Sequence, residues 1–225
     1  MPWIETFRDD FTGTALDTSK WNTYYWRGRT YHANGELQYY ADEALTVVNG
    51  TLRITARKTP MGGCAYTSGM ITTLGKFSQQ YGRFEIRCKL VKGKGLWPCF
   101  WLLPASKLWP PDMSVMECLG HEPTTVHLAY HYTDPTGKPA TSSTYFTGPD
   151  FTAEYHTFCM EWSPGKLQFY VDNYERYHTN ASPQEQMYLL VNMAVGGNFP
   201  GNPDATTIFP AEMRVDHIRV SQWED

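Results

Sequence analysis

Asp112 and Glu117 stand five residues apart in the run Asp112-Met113-Ser114-Val115-Met116-Glu117, and Trp97, Trp101 and Trp109 precede them closely. Two carboxyl groups can cleave a glycosidic bond. One attacks the anomeric carbon or activates water, while the other protonates the leaving oxygen. The tryptophans are candidate platforms, because an aromatic face packs against the apolar face of a pyranose much as it packs in a core. Trp109, next to Pro110-Pro111 and three residues before Asp112, is the best placed, whereas the Trp101-Leu102-Leu103 setting also suits a core. On a strand, alternation sends Asp112 and Ser114 to one face and Met113 and Val115 to the other. Glu117 is an odd step from Asp112, so a regular strand would turn it away. A single inserted residue, a β-bulge, would return it to the same cleft.

The stretch 97–120 resembles the signature of glycoside hydrolase family 16, the laminarinase and lichenase family, whose bulged active-site strand usually reads E-I-D-I-M-E. The likeness extends through Asn34-Gly35-Glu36-Leu37-Gln38-Tyr39-Tyr40, Tyr66-Thr67-Ser68-Gly69 and Tyr81-Gly82-Arg83-Phe84-Glu85-Ile86-Arg87. It continues in Asn192-Met193-Ala194-Val195-Gly196-Gly197-Asn198 and Val215-Asp216-His217-Ile218-Arg219-Val220, and so covers nearly the whole chain. Two departures fall on the chemistry. Asp112 stands where the family has its nucleophilic Glu, and Ser114 where it has an Asp.

The resemblance implies an all-β, concanavalin-like jelly roll: a β-sandwich of two antiparallel sheets with a concave substrate cleft. It also implies endo-acting hydrolysis of β-1,3- or mixed β-1,3/1,4-glucan by a retaining mechanism. Glu117 takes the acid/base position, where it must hold a proton near neutral pH, and Asp112 takes the nucleophile position with Ser114 beside it. Asn34 and Glu36 match positions that bind sugar hydroxyls, with Arg27 and Arg29 on the same loop. His131 becomes a cleft residue near the acid/base. Asn192 and Phe199 line the glycone side, where the family often has Trp in place of Phe199. Asp216 matches an aspartate that binds a structural calcium with backbone carbonyls near Asp9 and Gly50, and calcium accepts such oxygen sets. Catalysis itself needs no cofactor.

An aspartate retracts its oxygens by roughly 1 to 1.5 Å relative to a glutamate, and a displacement of that size can cost about a hundredfold in rate. Ser114 removes a charge as well. Two readings stand side by side: a glucanase with an impaired site, and a non-catalytic β-glucan-binding protein on the same fold. His127 and His131, four residues apart, share a strand face and could hold a metal, but no third ligand accompanies them at suitable spacing. Ser114 lacks the Gly-x-Ser-x-Gly elbow of a serine hydrolase.

With 8 Trp and 15 Tyr in 225 residues, the chain has aromatics for a β core and for stacking on sugars. The net charge of -4, without a basic stripe, speaks against nucleic acid, and no apolar run of about 18 residues is present to span a membrane. No evident cationic clamp marks a sulfated substrate. The partner expected is a β-glucan, and the protein a monomer of one domain over residues 1–225. The start Met1-Pro2-Trp3-Ile4-Glu5 lacks a charged n-region and an apolar h-region. Either the protein is cytoplasmic or a signal has been replaced by an initiator Met, and a polysaccharide substrate favours a secreted or periplasmic location. Five cysteines, Cys64, Cys88, Cys99, Cys118 and Cys159, show no C-x-x-C spacing and read mostly as small buried hydrophobes.

Strand-like runs occur at 45–48, 51–56, 83–89, 126–132, 157–162, 167–171, 187–195 and 214–221, separated by turn signals such as Asn49-Gly50 and Asp172-Asn173. Many short strands with such breaks indicate an antiparallel sandwich. The Tyr- and Arg-rich segment 23–34 is expected to cover one end of the cleft, and 181–184 to make one helical turn at most.

Overall fold

The computed structural model describes residues 2–224. Its strands, in chain order, are β1 (Trp3–Asp9), β2 (Gln38–Tyr40), β3 (Leu45–Val48), β4 (Thr51–Ala56), β5 (Tyr66–Ser68), β6 (Met70–Thr72), β7 (Gly82–Lys89) and β8 (Leu96–Pro104). Then come β9 (Asp112–Glu117), β10 (Thr125–Thr133), β11 (Pro139–Thr147), β12 (His156–Ser163), β13 (Lys166–Val171), β14 (Tyr174–Thr179), β15 (Met187–Val195) and β16 (Ala211–Trp223). One sheet has the order β14-β13-β12-β7-β16-β4-β3, with β1 also paired to β16, and the other has the order β11-β10-β9-β8-β15-β6. Their pairings are antiparallel; among the described residues only the small β2–β5 pair is parallel.

Alternation along the strands decides what lies between the sheets. Phe84, Ile86 and Cys88 of β7 face Phe158 and Met160 of β12 and Ile218 of β16 in one buried cluster with Phe100, Leu102, Val126 and Leu128 of the second sheet. Burying this apolar surface drives the two layers together, at roughly 25 cal/mol per Å² removed from water. On β15 the odd-numbered residues from Met187 to Val195 enter that core. Tyr188, Asn192 and Ala194 line the opposite, concave face. Every β15 residue is buried, so the strand reads as an apolar run broken by Asn192 rather than an alternating one.

The segment 181–184 forms no helix. Ser182 Oγ instead donates to Ser163 O and accepts from Gly165 N, both at 2.9 Å, bracing the β12–β13 turn. The two short 3-10 turns lie at His32–Asn34 and Asp42–Ala44. All five cysteines are free and buried. Cys99 lines the cleft whereas Cys118 enters the core, so the two lie on opposite faces of their sheet.

Candidate active site

The bulge sits in β9. On one side Trp101 pairs with Ser114 and Phe100 with Met116, so Val115 is skipped; on the other, Ala129 pairs with Ser114 and His127 with Glu117. Val115 and Met116 consequently both enter the core with Met113. Asp112, Ser114 and Glu117 all face a cleft of about 780 Å³ on the concave sheet. Without the extra residue, Glu117 would point between the sheets, where a lone carboxylate would be strongly disfavoured.

Each carboxyl group is held by an indole. Trp109 Nε1 donates to Asp112 Oδ2 at 2.5 Å, and Trp97 Nε1 donates to Glu117 Oε2 at 3.1 Å. Trp109 is nonetheless exposed over most of its ring, so its face remains open to a sugar while its edge holds the carboxylate. Burial pushes the Asp112 carboxyl up to about 6; His131 and the Trp109 N–H pull against the rise, and the Glu117 charge adds to it. Among the described residues, Ser114 makes no side-chain hydrogen bond to either carboxyl group.

The third tryptophan joins a polar relay along the cleft wall. Trp101 Nε1 donates to Asn192 Oδ1 at 2.8 Å, Asn192 Nδ2 donates to Tyr40 Oη at 3.0 Å, and Tyr40 Oη donates to Glu36 Oε2 at 3.3 Å. Glu36 also accepts from Gln38 Nε2 at 2.7 Å and Asn34 Nδ2 at 3.1 Å. Burial raises the Glu36 carboxyl, and these three donors oppose the rise. Trp101 is therefore a half-buried wall residue rather than core. Gln38 and Tyr40 complete the relay; their alternation with Glu36 on an extended segment was the available signal.

The cleft face of β10 carries His127 and His131. His131 is paired across the sheet with Asp112, and His127 with Glu117. This differs from the expectation for His131, because the antiparallel register places it at the nucleophile position. Its Nδ1 shares a 2.8 Å hydrogen bond with Thr141 Oγ1. His127 stacks edge-on to Phe199, which in turn meets Trp97 edge-on, with centroids 5.0 and 5.8 Å apart. Among the described residues, no three His, Cys, Asp or Glu side chains form a metal-binding group. The histidine-pair metal reading thus has no third ligand here either.

The segment 23–34 does cover one end of the cleft, where Tyr25, Trp26, Arg27 and Tyr31 line it. Arg29 does not join them. Its guanidinium is tied to Asp42 Oδ1 and Tyr40 O, both at 2.8 Å, and braces the loop.

Asp9, Gly50 and Asp216 belong to the other sheet and its β3–β4 turn. The Asp9 carboxylate is already engaged, accepting from Phe11 N at 2.9 Å and Trp21 Nε1 at 2.7 Å. Asp216 meets Arg87 at 3.1 Å and His217 at 2.9 Å, both through Oδ2.

Against this geometry, residues 33–208 match the family model described as "Glycosyl hydrolases family 16". The chain is 34% identical over 239 residues to endo-1,3-1,4-beta-glycanase EglC of Rhizobium meliloti, an alignment covering 96% of this chain and 51% of that protein. It is 34% identical over 252 residues to a beta-glucanase of Rhodothermus marinus, covering 98% and 86%. Thus it spans about half the length of the first relative and most of the second. Among solved structures, the laminarinase catalytic domain of Thermotoga maritima superposes with a TM-score of 0.91 at 33% identity, covering 100% of both chains. A concanavalin-like jelly roll whose bulged strand presents two carboxyl groups to an aromatic-walled cleft, matched along nearly its whole length, belongs to glycoside hydrolase family 16.

Proposed function

We propose that this chain performs endo-acting hydrolysis of β-1,3- or mixed β-1,3/1,4-glucan with retention at the anomeric carbon. The observation that carries the reading is the β9 bulge, which gathers Asp112, Ser114 and Glu117 on the cleft face beside three tryptophans. The names of the relatives support the substrate class.

In the first step an Asp112 carboxylate oxygen attacks the anomeric carbon, the glycosidic C–O bond breaks, and Glu117 gives its proton to the departing oxygen. This leaves a glycosyl ester on Asp112. Glu117, now a carboxylate, takes a proton from water as the water oxygen attacks the same carbon. The ester bond breaks, Asp112 is regenerated, and the two inversions amount to retention. Trp109 fixes one Asp112 oxygen throughout, and Trp97 fixes one Glu117 oxygen.

The binding-protein reading draws on a separate observation. Asp112 is short, deeply buried and raised to about 6, and Ser114 supplies no charge beside it. Reducing-sugar release from laminarin separates the two readings. Glu117→Gln should abolish most hydrolysis and spare binding, since an amide cannot donate the proton. Asp112→Glu with Ser114→Asp should raise activity about a hundredfold by restoring reach and charge. A folded double variant that binds glucan without cleaving it would place the protein among glucan binders.

A polymeric substrate that does not cross membranes supports a secreted or periplasmic location. No helix among the described residues is long and apolar enough to cross a membrane. A structural calcium is also proposed, held by Asp216 Oδ1 and by main-chain oxygens near Asp9 and Gly50. Support comes from the oxygen-only character of this donor set, which suits calcium rather than zinc. Calcium would supply no step of the chemistry.

A further inference from the structure

The two ends of the cleft differ in how their charges are matched. Near Glu117, Lys94 Nζ lies 3.5 Å from His121 Nε2, and His121 and His127 both approach the Glu122 carboxylate, at 3.8 and 3.5 Å. Two imidazoles therefore adjoin a carboxylate there, with Lys94 beside one of them. At the end covered by the 23–34 loop, Arg29 is paired with Asp42, but the cleft-lining Arg27 has no such partner. Arg27 lies over the Trp26 ring, 4.4 Å from its centroid, and 6.0 Å from that of Tyr31. Stacking orients the guanidinium while leaving its N–H edge unused. Lys107 lines the same cleft from the segment between β8 and β9. Among the described residues, neither Arg27 nor Lys107 forms a salt bridge or a side-chain hydrogen bond.

Tyr188 adds a second observation of a different kind. It is 1% exposed, lines the cleft, and its hydroxyl is buried without any hydrogen-bond partner. An orphaned donor in a concave wall is available to a group that enters the site. Tyr25 links these residues. Burial pushes its hydroxyl up, the Arg27 charge pulls it back, and Asp112 adds to the rise, so Tyr25 is within electrostatic reach of both. Tyr188 in turn is raised by burial and by Tyr25. The overall charge of -4 would repel an anion from the protein as a whole. Arg27 and Lys107, two cleft-lining cations without a carboxylate partner, thus stand against the overall charge, and no evident clamp marked them in the sequence.

We propose that this end of the cleft is a subsite for an acidic substituent on the glycan, a carboxylate or sulfate group whose oxygens accept from Arg27, Lys107 and Tyr188. The inference rests on the reading of the cleft as a glucan site and narrows the substrate to chains that carry negative charge along a β-glucan backbone.

The test measures binding to the Glu117→Gln protein, which prevents turnover, by calorimetry at low salt. The probes are a neutral laminarin oligosaccharide and its carboxymethylated and sulfated derivatives of equal length. Charge-assisted hydrogen bonds predict at least one acidic derivative bound about tenfold more tightly than the neutral chain. That preference should shrink toward one as salt is raised and in Arg27→Met/Lys107→Met. Lys92→Met, at a residue that lines a separate hollow with Glu212 and Arg214 of the other sheet, should leave the ratio where it was. The carboxymethyl and sulfate arms separate the two sources of charge. Equal binding of neutral and acidic chains would overturn the subsite while leaving the glucan reading in place. An acidic preference that survives removal of both cations would overturn it equally. If the parent protein binds the acidic chain more tightly but cleaves neither, the subsite stands and the hydrolase reading falls.

Discussion

Replacing Asp112 by Asn should make the protein more stable and inactive. The Asp112 carboxyl is 6% exposed and is pushed up to about 6 in the folded protein, against a reference of 3.8 for the unfolded chain. The direction follows from proton binding. Below about pH 4 both states hold the proton and the group contributes no difference. Between about 4 and 6 the folded protein keeps a proton that the unfolded chain has released, so stability falls as pH rises. Above about 6 the folded state carries a buried charge whose penalty is constant. A gap of about two pH units corresponds to about 3 kcal/mol. Asparagine carries no charge and keeps an oxygen for the Trp109 N–H, now 2.5 Å from Asp112 Oδ2. Denaturant melts at pH 8 should therefore show the variant more stable by about 3 kcal/mol, or by roughly 6 to 12 °C in Tm for a domain of this size. At pH 3.5 the advantage should vanish. No gain at pH 8, or the same gain at both pH values, would refute the argument that desolvation of the Asp112 charge is responsible.

The other predictions concern the same site and the opposite sheet. Trp109→Phe keeps a ring over the cleft but removes the N–H that favours ionised Asp112, so the acid limb of kcat/KM should move to higher pH; an unmoved limb would show that this bond does not act on Asp112. Calcium at millimolar concentration should raise Tm without changing the rate, and Asp216→Ala should remove the increment, because a ligand of the folded state stabilises by mass action. A melt indifferent to both calcium and EDTA would retire that site. Proton NMR of the first product released from a β-glucan should show the β-anomer. An initial α-anomer would mean that the retracted Asp112 acts as a base on water, as in sites whose carboxyl groups stand about 6.5 Å or more apart.

How much was legible in the chain varied with the kind of signal. The bulge was legible because counting from Asp112 to Glu117 leaves a parity conflict, and Val115 and Met116 settle it by both entering the core. The buried runs of β4, β7, β13 and β15 were legible from apolar or alternating residues. β11 was not, since Pro139–Thr147 is mostly Ser and Thr and forms an edge tied to the main core cluster through the half-buried Phe146. β14 escaped because Tyr174–Thr179 carries Glu, Arg and His among its residues and has three exposed residues at its start. Among the tryptophans, ring faces were foreseeable and ring edges were not. Which carboxylate an indole N–H reaches depends on how a loop folds back, as in the three-residue turn from Trp109 to Asp112. The assignment of His131 turned on register, which fixes cross-strand partners and which no count along one strand supplies.

The electrostatics of the pair set the conditions under which this site can work. A retaining mechanism needs its nucleophile ionised while its partner keeps a proton. Asp112, at the nucleophile position, is drawn deep into the wall, and burial pushes its carboxyl up. Two features work against that burden: the Trp109 N–H at 2.5 Å and the proximity of His131, both of which favour the ionised form. Ser114, between the two carboxyl groups, adds no further negative charge to the cleft. The family's Asp at that position would push Asp112 higher still. The exchange of Asp for Ser at 114 is therefore consistent with the shorter, more deeply buried nucleophile beside it, since it keeps Asp112 ionisable near neutral pH. On this account Ser114→Asp alone raises the Asp112 carboxyl further, and the charge helps only when Asp112→Glu moves the nucleophile's oxygens outward at the same time.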